Sequence, residues 1–293
     1  MKRITLALAA LIITIGANAQ LLWKISGNGL TKPSYLFGTH HVAPLSVIDS
    51  VPGLMDALAA ADVLYGEVDM EKMTDGATQM KMAQKMMAPA DSTLSKVLSA
   101  EELAAIDNLF KENGLPYTTA QLEVMKPAAV SNIITLIMAQ KANPGFNPNT
   151  QIDMMMQQRA KEKGKEVKGL ETIDSQLDIL FGSSISEQAK SLMETVNDPG
   201  KSMKAAVAMT NAYLAGNLAE LDRMMHDPEI GMDAAEADRL INRRNGAWVE
   251  FMIGVLPTAS IIAVVGAGHL PGEKGVINLL RKAGYKVEPA DTL

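Results

Sequence analysis

The chain has no cysteine. That absence removes disulfide scaffolds, thiolate metal sites, cysteine nucleophiles and lipid attachment at an N-terminal Cys, so any metal must be held by nitrogen and oxygen donors. A basic excess is missing too. Against 33 Asp and Glu stand 27 Lys and Arg, a formal charge of -6, and no stripe concentrates the basic residues, so nucleic acid is not an expected partner. Beyond the first nineteen residues no apolar run is long enough to span a bilayer, and no low-complexity linker or close repeat marks a domain boundary. Aromatics reach 4% while hydrophobic residues as a whole reach 47% of the 293 residues. That balance is globular, with methionine filling gaps that aromatics would otherwise occupy.

The N-terminus has a secretory pattern. Lys2 and Arg3 precede an apolar run from Ile4 to Ile15, and Ala17-Asn18-Ala19 supplies the small residues of a cleavage site. Residues 1–19 are therefore expected to be a signal peptide cut before Gln20, leaving residues 20–293 as one domain with no stable membrane anchor. The expected location is periplasmic or secreted. A retained anchor is the alternative, disfavoured because the apolar run is short for a span.

Short strands are expected at Leu21–Ile25, Ser34–Phe37, Ala61–Val68, Lys165–Leu170, Ile261–Val265 and Tyr285–Glu288. Helices fill residues 71–165, cut by Pro89, Pro116, Pro127 and the Asn143–Asn149 turn cluster. They resume over 173–256 and over 271–283. Strands thus gather towards both chain ends. The expected fold is an α/β (α+β) sandwich, with a single mixed β-sheet built from both chain ends and a large inserted helical layer.

Only four histidines are present, and two share one arrangement. Gly38-Thr39-His40-His41 and Gly266-Ala267-Gly268-His269 each follow a short apolar strand. The glycine is expected to let the backbone turn, presenting His41 and His269 over the strand's carboxyl edge. Two strands also end in an acid, at Glu67 and Glu171. Set parallel and side by side, the four strands would bring two imidazoles and two carboxylates to one rim. That is a sensible donor set for zinc, manganese or cobalt, with a carboxylate as general base. Each motif also has an ordinary reading, as a loop histidine bonded to backbone or a solvated rim acid.

Other polar residues divide similarly. Arg159, Arg244 and Asn245 could bind a substrate carboxylate or stabilise an oxyanion, though helix-surface and capping roles suit each. Asp153, six residues before Arg159, is assigned to the surface. His226 reads as a partner of a helix C-terminus. The 20 methionines read as core or an adaptable groove rather than a Cu(I) array, because no Met-x-x-Met repeat is present.

Taken in order, Tyr35 to His41, the strand ending at Glu67, Lys126-Pro127, Ile152-Asp153 to Arg159-Ala160, Gly169-Leu170-Glu171-Thr172, Arg244-Asn245 and Val265 to Gly272 resemble the TraB/GumN family. This family includes the Tiki-type metalloproteases and is distantly similar to erythromycin esterase and ChaN-like proteins. The resemblance runs through the whole mature chain. It implies a metal-dependent hydrolytic site acting on a peptide or peptide-like substrate, with manganese or cobalt as the usual ions. Within it, His41 and His269 match the paired motif histidines that hold the ion, and Glu67 matches the acid closing the early strand, as a ligand or as the general base. Glu171 lies in the Leu-Glu-Thr motif and is the candidate base where Glu67 is a ligand. His40 and Ala128 depart from the pattern, which more often has an aliphatic and an aromatic residue there. The alternative from a different class is a non-catalytic protein of the same fold that binds a peptide, haem or a metal at this rim.

Overall fold

The structure is a computed structural model describing residues 20–142, 146–147 and 150–290. The expected signal peptide lies outside the described residues. Six strands, β1 (Leu22–Ser26), β2 (Ser34–Thr39), β3 (Val63–Gly66), β4 (Glu166–Gly169), β5 (Ile261–Gly266) and β6 (Lys286–Pro289), form one sheet in the order β4-β3-β5-β2-β1-β6. The block β4-β3-β5-β2 is parallel throughout, while β1 joins β2 and β6 antiparallel. The sheet is thus mixed and drawn from both ends of the chain, as expected.

The β1–β2 reversal is tight because Gly27, Asn28 and Gly29 all take positive φ, a region open to glycine and tolerated by asparagine. β2 is buried at every position and β5 at all but its last, which requires cover on both faces. The acids sit just outside their strands: β3 ends at Gly66 and β4 at Gly169.

The long β3–β4 connection is helical, and its helices share a second apolar cluster with part of the β4–β5 connection. Ile106 and Phe110 of the helix Ala100–Glu112 meet Val130 and Ile134 of Pro127–Ala142, and Leu192 and Val196 of Ile185–Asn197 close the cluster. Local sequence sets these boundaries. Ser99 with Glu102, and Ser184 with Glu187, form reciprocal capping boxes, and Pro127 and Pro199 open their helices where a missing N–H costs nothing. Among the described residues no helix is long and apolar enough to cross a membrane.

The methionines divide by position. Met156, Met224 and Met252 are buried in the sheet core, whereas the helix Gly76–Met86 buries no residue and Met80 stands 66% exposed.

The two motif glycines are needed for a reason other than turning. Neither Gly38 nor Gly266 has positive φ. A Cβ at Gly38 would lie 2.8 Å from Leu270 Cδ1 and 3.2 Å from Ala267 Cβ, so Gly38 lets the two motifs pack on each other. The expectation of a backbone turn is corrected to one of close approach. Gly38→Ala should therefore cost about 1–3 kcal/mol through overpacking. Gly246→Ala, in a helix with open space at the Cβ position, should gain about 0.5–1 kcal/mol. Urea unfolding midpoints test both, and equal midpoints for the two variants would contradict this account.

Candidate active site

Because β4, β3, β5 and β2 run parallel, the residues that follow them leave the sheet at one edge, where open α/β sheets bind ligands. Across that edge the order is Glu171, Glu67, His269, His41. The ladder continues past the strands, with the Glu171 amide donating to the Glu67 carbonyl at 2.9 Å. The Gly266 amide donates to Glu67 Oε1 at 2.9 Å. Two acids and the second histidine motif are thereby fixed by main chain.

The guanidinium of Arg244 lies among them. This residue belongs to the helix Arg243–Val255. Its Nη2 donates to Glu67 Oε2 at 2.6 Å and to Glu171 Oε1 at 2.7 Å, its Nε to Glu171 Oε2 at 3.2 Å, and its Nη1 to His269 Nε2 at 3.1 Å. Gln176 adds a donor to each carboxylate at 3.2 Å. The three charged side chains are 9–12% exposed. Arg244 also lies over the Trp248 ring, with Cζ 4.6 Å from its centroid, a cation–π contact.

The histidines are anchored differently. Asn245 Nδ2 donates to the carbonyls of His269 and Lys274, which fixes the amide so that Oδ1 accepts from His269 Nδ1 at 2.7 Å. The proton is then on Nδ1, and the lone pair of Nε2 faces Arg244 and Glu67. His269 packs on Trp248 at 4.5 Å between ring centroids. The Trp248 indole N–H is buried without a hydrogen-bond partner among the described residues. His41 Nδ1 instead donates to Asp153 Oδ2 at 3.2 Å, while Thr39 Oγ1 donates to Asp153 Oδ1 at 2.8 Å. His40 turns away, to Thr210 Oγ1 at 3.0 Å and the Tyr213 ring.

Protonation follows from these partners. Burial lowers the His269 pKa to about 4, with only partial opposition from the Glu67 charge, so this ring is neutral near pH 7. The charge of Asp153 and its hydrogen bond push His41 up to about 9. Its side chain remains 58% exposed, so solvent screens the attraction without reversing its direction. Burial pushes Glu67 up, but His269, which is protonated at the low pH where Glu67 titrates, together with Arg244, His41 and the Gly266 amide, outweighs that and holds it down at about 2. With His269 neutral, Arg244, His41 and the amide keep Glu67 ionised. Burial acts against the Arg244 charge, and Glu171 and Glu67 raise its pKa in spite of it.

Asp153 is the main correction to the sequence reading. It is 7% exposed and points into the site rather than to the surface. Helical periodicity could have revealed it, since Ile152, Asp153, Met156, Gln157 and Ala160 form one buried stripe. Gln176 and Trp248 were also missed, and neither lies in a recognisable motif. Arg159 pairs with Asp49 at 2.9 Å, outside the Arg244 network. Asn245 and Arg244 are not surface or capping groups, being engaged with His269 and the two acids. His226 caps the helix Leu218–Met225, as expected.

The family model for TraB/PrgY/gumN matches residues 21–289. The chain belongs to this family. It is similar to Metalloprotease TIKI1 of Homo sapiens, at 23% identity over 92% of this chain and 62% of that protein. Metalloprotease TIKI2 of Danio rerio is 21% identical over 92% of this chain and 60% of its own length. Metalloprotease TIKI homolog of Amphimedon queenslandica is 22% identical over 91% and 60%. The chain spans about three-fifths of the length of these relatives. No solved structure matches it.

Among the described residues no group of three or more His, Asp or Glu stands close enough together to hold a metal ion as placed. The donor chemistry nevertheless fits a divalent ion. An ionised Glu67 and a neutral, Nδ1-anchored His269 are the forms such an ion needs, and His41 is anchored in the same sense. Arg244 Nη1 holds the His269 lone pair that an ion would take up.

Arg244 also governs acid stability. Glu67 is depressed below its unfolded pKa, so its contribution is present above about pH 4.5 and lost as pH falls towards about 2. Arg244→Gln leaves two nearly buried carboxylates uncompensated and should cost about 3–5 kcal/mol at pH 7. The deficit should shrink on acidification as Glu67 takes up its proton. Unfolding free energies from pH 3 to 8 test this, and a pH-independent deficit would refute the charge argument.

Proposed function

We propose that the protein is an exported, metal-dependent hydrolase that cleaves a peptide or peptide-like substrate. The observation that supports this reading is that Glu171, Glu67, His269 and His41 follow four adjacent parallel strands at one carboxyl edge of the sheet. Similarity to proteins named metalloproteases supports the reaction class.

His41, Glu67 and His269 are the residues assigned to hold the ion: manganese, cobalt or zinc. When bound, it supplies Lewis acidity and lowers the pKa of water. Asn245 keeps the His269 ring in the required tautomer. Glu67 and Glu171 hold Arg244 in place. A developing oxyanion or a substrate carboxylate suits its guanidinium but must displace one of the partners, Glu67, Glu171, His269 or the Leu240 carbonyl, that take all five N–H groups here. Trp248, itself buried, packs against His269 and Arg244. With Glu67 holding the ion, Glu171 is assigned as general base; both its oxygens accept hydrogen bonds here, one of which it must release to take a proton. Arg159, paired with Asp49, is assigned to a more distant part of the substrate path. The binding-protein alternative draws support from Arg244, which already neutralises both acids and caps His269.

Chelator-stripped protein, assayed on a fluorogenic peptide library with and without manganese, cobalt or zinc, tests the proposal. Activity should appear only with metal. Glu67→Gln should lose metal and recover partly at high metal concentration, whereas Glu171→Gln should keep metal and lose about 100-fold or more in rate. Wild-type activity and occupancy in both variants would sink the hydrolase reading in favour of the binding protein. His41 holds its proton up to about pH 9, and an ion must displace it, so metal affinity should climb between about pH 6 and that value. Isothermal titration at several pH values checks the slope.

Export has its own check. Intact-mass measurement on secreted or periplasmic material should find a chain starting at Gln20, and a mass retaining Met1 to Ala19 would count against a cleaved signal peptide.

A further inference from the structure

The two motif histidines are held in unequal surroundings. His269 is 5% exposed, packed on Trp248 and fixed through Asn245. The His41 side chain is 58% exposed, so packing alone does not hold its ring. Its fixed contact is Asp153, which lies in the first turn of the helix Ile152–Glu162. At that end of the helix the backbone dipoles favour a carboxylate. Asp153 is itself over-determined: Thr39, 1% exposed at the end of β2, donates its hydroxyl to Oδ1, leaving Oδ2 for His41. A carboxylate only accepts, so the nitrogen facing it must be Nδ1–H, and Nε2 becomes the ring atom open to another partner. His269 presents Nε2 by the same logic through a different residue.

We propose that Asp153 is a positioning residue of this site, holding His41 through Nδ1 so that Nε2 is presented to the divalent ion. The proposal rests on the reading of His41 as an ion-holding residue. Asp153 and Thr39 act together, the hydroxyl fixing the carboxylate and the carboxylate fixing the ring. An uncharged amide at position 153 weakens the grip, because a hydrogen bond to an ionised acceptor is about twice as strong as one between neutral groups. The ring then gains freedom to rotate and change tautomer.

Two measurements decide it. In metal-free wild-type protein, proton NMR should show a slowly exchanging, downfield ring N–H assigned to His41 Nδ1, and this signal should be lost or shifted upfield in Asp153→Asn. By chelator competition, Asp153→Asn should bind manganese or cobalt about 10–100-fold more weakly than wild type. Thr39→Val should weaken it by a smaller factor. It also replaces Asp153→Asn if that variant fails to fold. An unchanged His41 ring signal overturns the proposal. So does wild-type metal affinity in a folded Asp153 variant that has merely lost thermal stability. If wild-type protein binds neither ion, the hydrolase reading fails by itself, and the ring N–H alone decides whether Asp153 positions His41.

Discussion

Two carboxylates at the ends of neighbouring strands repel each other, and burial penalises both. In this protein the guanidinium of Arg244 resolves the conflict by donating to Glu67 and Glu171 together. Much of the rim depends on that contact. The planar, multi-donor shape of arginine is needed, because one group must reach two acids and a ring nitrogen; a lysine ammonium lacks the flat fork that grips Glu171 at both oxygens. The helix carrying Arg244 supplies Asn245 and Trp248 as well, so one element orients His269, neutralises the acids and covers them. Buried charge of this kind contributes little net stability. Its value lies in holding several reactive groups in a single arrangement.

The paired Gly-x-x-His motifs have unlike supports. At the second, the Gly266 amide binds Glu67 and a neutral amide holds the ring. At the first, Gly38 packs against Ala267 of the other motif and a carboxylate holds the ring. The consequence is chemical asymmetry. His269 is driven towards neutrality and His41 towards the charged form, so identical residues at similar strand ends differ in how readily they give up a proton.

Helical periodicity explains both the success and the gap in reading the Ile152–Glu162 segment. A helix there was legible from its flanking turns and its strand-like successor. Which polar residues face inward depends on their place relative to the apolar stripe Ile152, Met156 and Ala160, not on the six-residue spacing between Asp153 and Arg159. Asp153 and Gln157 lie on that stripe, and buried polar groups there require partners. Gln157 finds them in the backbone of Val68 and Met70, and Asp153 in Thr39 and His41. The methionines show a similar limit. Their abundance was plain, but thioethers suit cores and adaptable surfaces equally, and only packing separates buried Met156 from exposed Met80.

The sequence by itself determined the local terms: the strand and helix segments, their caps, the absence of thiol ligands and the residues placed just after each strand. Those depend on alternation, periodicity and side-chain chemistry within a few neighbouring positions. Only the tertiary structure decided that β3, β4, β5 and β2 lie parallel, with β5 inserted between β3 and β2, which sets the lateral order of the four candidate groups. It also decided that Arg244 enters between the acids, that His41 and not His40 faces them, and that Asp153 turns inward. The physical reason is that hydrogen bonds and charge neutralisation across more than a hundred residues depend on where the backbone brings the partners, and nothing within a few positions of Arg244 or Asp153 specifies it.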